Sequence, residues 1–259
     1  MKILKTLNAI LITGLLFFSC SKDDNNESRF KPTDSNSLLA YYEFNNNLDD
    51  SSTNNIDGTS TSPDYDSDRN NQSNSSYILN GTEARAIETS DFPLTSGSFS
   101  MSFWLKIDDS QFANEPNDHN RYILGTREIC NVSQFFNVSY LHSLTDGREN
   151  RISVEIRNSS TGAFSVGTDD LPVDEWVHIA FTVDNDAKET NIYFNDELKN
   201  TSTWDNLSVD VSNTAPFVIG TNVCARVANS GSMRGANIDD VAIFSSVLTT
   251  EQISDLALN

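Results

Sequence analysis

Apolar and polar residues alternate along most of this chain in steps of two rather than of three or four. Within 99–107, Phe99, Met101, Phe103, Leu105 and Ile107 take every second position, with Ser100, Ser102, Trp104 and Lys106 between them. A strand turns successive side chains to opposite faces, so this spacing predicts a strand whose odd positions meet a core. The stretch 151–156 does the same with Ile152, Val154 and Ile156. Further strands are predicted over 38–44, 77–79, 122–124, 136–140, 177–183, 190–194, 217–219 and 239–244. Asn195 and Asp196, set between two such runs, mark a tight hairpin turn. One short helix is predicted at the C-terminal end, over 249–256, where Thr249 offers a hydroxyl cap and Ile253 and Leu256 stand three apart. Many short strands punctuated by Asn, Asp, Gly and Ser predict an all-β fold, a two-sheet antiparallel sandwich forming one domain over 36–259. The polar stretches 49–76 and 108–121 are the longest loops, where a binding surface is expected.

The N-terminal segment reads differently. Lys2 and Lys5 precede an apolar run over 10–18 that is too short to span a bilayer and right for a signal peptide. It ends in Leu16-Phe17-Phe18-Ser19-Cys20, which resembles the lipobox of bacterial lipoproteins, although Phe17 stands where leucine is usual. The resemblance implies a signal peptide over 1–19, a lipid on Cys20 and membrane attachment through that lipid; the alternative is an ordinary signal peptide with a chance cysteine. Residues 20–35 are polar and acidic and read as a flexible tether. Its opening, Ser21-Lys22-Asp23-Asp24, resembles the surface-export signal of Bacteroidetes lipoproteins, implying an outer-membrane anchor facing the cell surface; the periplasmic face is the alternative.

Charge narrows the partners. The formal charge is −20, and cleavage after residue 19 removes Lys2 and Lys5, taking it to about −22. Such a field repels nucleic acid and anionic lipid and favours neutral or cationic partners. Solubility in salty surroundings accounts for the same acidity. With Cys20 lipidated, Cys130 and Cys224 remain in an oxidising compartment. Each follows an apolar run and a Gly-Thr pair, Gly125-Thr126 and Gly220-Thr221, so a disulfide between two neighbouring strand ends is expected, with two buried thiols as the alternative. Neither cysteine has a C-x-x-C partner, which argues against a thiolate metal site.

The order of segments resembles the laminin-G-like jelly rolls of the concanavalin A-like lectin/glucanase superfamily. The stretches that carry the resemblance are 39–44 with 48–52 and Gly58, then 97–106, then 175–183 with 191–196, and last 235–244 with 248–253. Together they run from about Leu38 to the end of the chain. The resemblance implies a two-sheet antiparallel jelly roll, often a structural calcium ion, and a role in binding glycans or proteins. It places Asp50 and either Asp239 or Asp240 at that ion; strand alternation points the latter two to opposite faces, so only one is expected as a side-chain ligand. The segment 49–58 is rich in hard oxygen donors, Asn55 among them, but is no EF-hand, since Asn55 stands where that loop needs glycine.

Catalytic patterns are missing. Glucanases of similar fold carry Glu-x-Asp-x-x-Glu on one strand, whereas Glu155 here is followed by Ile156, Arg157 and Asn158. His119, His142 and His178 are far apart, and His178, inside a strand beside Trp176, reads as structural. Sugars are commonly held by an aromatic face with amide and carboxylate partners. Trp204, in a polar segment with Asp205 and Asn206, is a candidate exposed aromatic, with a place in the sandwich core as the alternative, and Tyr122 and Tyr140 are expected to line a sheet face. The expected protein is a cell-surface lipoprotein with a non-catalytic, calcium-stabilised lectin-like domain that binds carbohydrate or glycoprotein. A structural or adhesion module contacting an envelope protein is the alternative, and a polysaccharide-cleaving enzyme the weaker one.

Overall fold

The period-two pattern of 99–107 becomes a nine-residue strand whose odd side chains are all buried. In the computed structural model, which describes residues 29–81, 87–89, 92–112, 119–126, 134–142, 150–158, 162–205, 207–221 and 231–259, that strand lies near the middle of an antiparallel sheet. Cys20, Cys130 and Cys224 lie outside the described residues, as do the signal segment and most of the tether.

In chain order the strands are β1 (Leu38–Tyr42), β2 (Tyr65–Asp66), β3 (Ser76–Asn80), β4 (Ile87–Thr89), β5 (Phe99–Ile107), β6 (His119–Gly125) and β7 (Phe135–His142). They continue with β8 (Arg151–Arg157), β9 (Ala163–Thr168), β10 (Trp176–Asp184), β11 (Glu189–Phe194), β12 (Glu197–Thr203), β13 (Phe217–Ile219) and β14 (Arg234–Phe244); a helix, α1 (Thr250–Leu258), follows. The first sheet runs β12-β11-β10-β5-β14-β3-β2, with β1 added to β14. The second runs β4-β13-β6-β7-β8-β9. Phe99, Phe103, Phe181 and Ile238 from the first sheet meet Phe136, Val138, Val154 and Phe217 from the second in one core. This is a two-sheet antiparallel sandwich of jelly-roll type.

The ends of the elements follow local chemistry. Asn195 and Asp196 both adopt positive φ, 46° and 70°, as a type I′ turn requires, and Phe194 pairs directly with Glu197. Thr249 caps α1 in a reciprocal capping box with Gln252. Ile253 and Leu256 of α1 cover part of the outer face of the first sheet, packing with Ala180, Tyr193, Ala242 and Phe244. Four strands escape the sequence pattern. β2 and β4 have only two and three residues, β12 is a polar edge strand, and β9 is a short edge strand.

Strand β14 begins five residues before the predicted start and pairs with β3 over its first half and β1 over its second. A bulge interrupts its pairing with β5 between Asp239 and Ala242, and Asp240 sits at φ 49°. The extra residue breaks strict alternation. The expectation that Asp239 and Asp240 point to opposite faces is therefore corrected: both carboxylates turn toward one guanidinium.

Candidate functional site

The part of the first sheet's outer face that α1 leaves open is crossed by the loop between β2 and β3. Asp68 folds this loop: its carboxylate accepts from the N–H groups of Asn70 and Gln72, each at 2.8 Å. Asn71 and Asn74 take left-handed conformations, which asparagine tolerates better than most residues. The loop so built carries Arg69 across Trp104, with the guanidinium carbon 4.7 Å from the ring centroid. Arg69 donates from Nη1 to Asp239 Oδ2 and from Nη2 to Asp240 Oδ2, both at 2.7 Å. It also reaches the backbone oxygen of Asn259 at 3.0 Å. Tyr41 completes the cluster by donating its hydroxyl to Asp240 Oδ1 at 2.7 Å.

Burial and charge explain the protonation of this cluster. Desolvation, then the charge of Asp240, push the Asp239 carboxyl up to about 8, against the pull of Arg69. Burial, then the charge of Asp240 and the bond to it, raise the Tyr41 phenol far above its ordinary range, so it stays a donor. His178 lies under the same loop and shares a 2.7 Å hydrogen bond with Ser102 Oγ. Burial, with the nearby Arg69 charge, pulls its imidazole down to about 3, and it is neutral at physiological pH. A carboxyl raised in this way is a feature that acid–base pairs share. Here Asp239 is 2% exposed, with Oδ2 on Arg69 and Oδ1 accepting the Asp240 N–H at 2.9 Å. Both oxygens of Asp239 are thus engaged within the protein.

Arg69 divides the open face into two clefts. One, of about 570 Å³, is walled by Tyr41, Glu43, Asn45, Asp68 and Gln72. The other, of about 560 Å³, is walled by Asn71, Lys106, Asp108, Asp174, Trp176 and Asn237. Gly235 shapes the second at φ 60°, where an added Cβ would clash with the Gln111 side chain. Asp174, also in a left-handed conformation, anchors the opposite wall by donating its N–H to Ile107 O at 2.7 Å. Trp176 stands half-buried at this cleft, diagonal across the strand pair from Trp104, because it pairs with Lys106 while His178 pairs with Trp104.

The residues singled out from the sequence fall in separate places. Trp204 is buried rather than exposed: its indole stacks on Phe164 at 3.8 Å and 8°, closing the gap between the edge strands β9 and β12. Tyr140 faces the interior, packs against Phe112 and donates to Asn150 Oδ1 at 2.7 Å. Tyr122 pairs with Ser139, the neighbour of Tyr140, and so turns to the opposite face of the second sheet. Asn55 holds a turn at φ 53°, donating from Nδ2 to Thr53 O. Among the three tryptophans, Trp176 is the one set in an open cleft, and no polar/apolar period singles it out.

The oxygens expected at calcium do not fit that ion. Asp50 is buried, and its carboxylate already accepts four donors: Tyr41 N, Ser52 N, Ser52 Oγ and Ile56 N, at 2.7 to 2.9 Å. Asp239 and Asp240 are spanned by Arg69. Tyr41 separates the two groups, bonding Asp50 through its N–H and Asp240 through its hydroxyl. Among the described residues, no three His, Cys, Asp or Glu side chains form a group that could hold a metal.

The family model Laminin_G_3, of the concanavalin A-like lectin/glucanases superfamily, matches residues 80–254. The chain belongs to this family. Three solved structures share the fold of this laminin-G-type domain. Domain 4 of AbnA, a GH43 extracellular arabinanase from Geobacillus stearothermophilus, in complex with arabinotriose, superposes with a TM-score of 0.60 at 24% identity, covering 85% of this chain and 98% of that one. The binding domain of Paraclostridial Mosquitocidal Protein 1 gives 0.65 at 17% identity over 88% of this chain and 52% of that one. The botulinum neurotoxin serotype D ligand-binding domain, in complex with N-acetylneuraminic acid, gives 0.63 at 18% identity over 86% and 50%. The laminin-G-type domain thus spans about half the length of either toxin domain. No curated protein matches the sequence. Among the described residues no helix is long and apolar enough to cross a membrane.

Proposed function

We propose that this laminin-G-type domain is a non-catalytic carbohydrate-binding module, held at the outer surface of a bacterial envelope by a lipid on Cys20, and that the glycan lies in the cleft beside Trp176. The observation that carries the reading is that cleft: a solvent-reachable indole ringed by the amides of Asn71 and Asn237, the carboxylates of Asp108 and Asp174, and Lys106. An aromatic face takes the apolar side of a pyranose or furanose, while amides and carboxylates take its hydroxyls. The acidic walls and the formal charge of −20 favour neutral sugars over polyanionic ones. Support also comes from fold relatives solved with arabinotriose and with N-acetylneuraminic acid. The burial of Asp239 and the neutral, enclosed His178 support the non-catalytic part.

The test is a screen of neutral and anionic oligosaccharides against the lipid-free domain, followed by titration of any hit against Trp176→Ala. The expected outcome is weakening of at least about tenfold, the loss of one stacking contact, with the melting temperature little changed. A hit that binds the variant equally well places the glycan elsewhere. Absence of any hit, or release of reducing ends, removes the proposal.

A further inference from the structure

Two carboxylates brought to one guanidinium, Asp239 buried and Asp240 half-buried, repel each other unless a positive charge lies between them. In this domain the charge comes from the chain itself. We infer that Arg69 is the built-in counter-ion of the Asp239–Asp240 pair, supplying what related jelly rolls draw from calcium, so that this fold stands without a divalent cation.

The contacts engage the oxygens that a second cation would need. The guanidinium spans Asp239 Oδ2 and Asp240 Oδ2 at 2.7 Å each, lies on Trp104 at 4.7 Å and donates from Nε and Nη2 to the Asn259 oxygen. The remaining carboxylate oxygens are also engaged, Asp239 Oδ1 by the Asp240 N–H and Asp240 Oδ1 by the Tyr41 hydroxyl. A planar fork matches two carboxylates in this way, whereas a lysine ammonium brings charge without the fork. The support is specific as well. The Asp68-centred turns hold the loop that carries Arg69, and the bulge at Asp240 brings the second carboxylate round to it. The other acidic residue expected at the ion, Asp50, is saturated by four donors and has no need of a metal.

A consequence follows for the variant that keeps the stem on Trp104 but removes the charge. Arg69→Met leaves two carboxylates, a phenol oxygen and a backbone oxygen around a gap, the hard-oxygen set that calcium accepts. The experiment is thermal melting of the wild-type protein, Arg69→Met and Arg69→Lys at pH 9, where the carboxylates do not settle the loss by sharing a proton. Each is run in chelator and in millimolar calcium, with metal analysis of the purified wild type. The expected wild type carries no stoichiometric calcium and melts at the same temperature in both buffers. Arg69→Met is expected to melt roughly 10 °C lower in chelator and to recover at least half of that in calcium. Adding Asp239→Asn to Arg69→Met is expected to abolish the recovery. Wild-type protein that contains calcium or melts lower in chelator overturns the inference, as does an Arg69→Met variant indifferent to calcium. Should Arg69→Met fold in neither buffer, Arg69→Lys decides: folded and indifferent to calcium upholds the inference, and stabilised by calcium overturns it.

Discussion

Asp50 and the Asp239–Asp240 pair, buried except for a half-buried Asp240, are acidic groups against β1 and β14, yet their charge is met in opposite ways. Asp50 is surrounded by donors from residues 41–56, three backbone N–H groups and one hydroxyl, all within nine positions of it. The pair near the end of the chain is met by a guanidinium 170 positions away, carried on a different loop. The first arrangement is a turn that organises itself around one carboxylate. The second exists only once β2, β3, β5 and β14 have assembled. A local cluster is stable as soon as its loop closes; a long-range one ties the β2–β3 loop to β14 in the interior of the sheet and inherits the penalty of burying charge.

Substitutions separate the two modes, the largest effect falling on the local one. Asp50→Ala removes a carboxylate from four donors and leaves buried N–H groups without acceptors. The expected loss is about 4 kcal/mol, read by denaturant unfolding, and it is the same in calcium as in chelator. A calcium-dependent loss breaks the contrast. Trp204→Ala tests the other residue whose setting the fold decided: deletion of the indole stacked on Phe164 costs about 3–4 kcal/mol by the same measurement. Glycan affinity of the folded fraction is expected to stay unchanged.

The long-range pair is read through pH. The Asp239 carboxyl titrates near 8 when folded and near 3.8 in the unfolded chain. The folded state therefore binds more protons between these values, so its stability falls as pH rises through that window and levels off above about 8. His178 works at the other end: its imidazole, ordinarily near 6.5, is held at about 3, so stability falls as pH drops below 6.5. The interval from pH 6.5 to 9 isolates Asp239. Wild-type protein is expected to lose on the order of 2 kcal/mol across it, and Asp239→Asn to lose much less. A wild-type stability that is flat over this interval shows instead that Arg69 neutralises both carboxylates fully.

The elements differ in how far the sequence declared them. The alternation of Phe99 to Ile107, the turn at Asn195-Asp196 and the Thr249 cap were all legible, because each depends on neighbours in sequence. The edge strand β12 was not, since its residues are exposed and carry no apolar period. At the site, the acidic residues were legible as residues but not in their relations. Asp239 and Asp240 were separated by an alternation rule that the bulge sets aside. Arg69 carried no motif, and Trp176 looked like any strand aromatic. Trp204 drew attention by its polar neighbours, which say nothing of the strand that passes beside it.

From its own order of residues the chain determined an all-β sandwich with a C-terminal helix, because hydrophobic period, turn residues and caps act over a few positions. It also determined the laminin-G-type family, through the succession of those segments. Only the tertiary structure decided which acid meets which donor, which tryptophan reaches a cleft, and that a guanidinium spans the Asp239–Asp240 pair. Those outcomes rest on strand order and on a one-residue bulge, which set distances between residues that the sequence holds far apart.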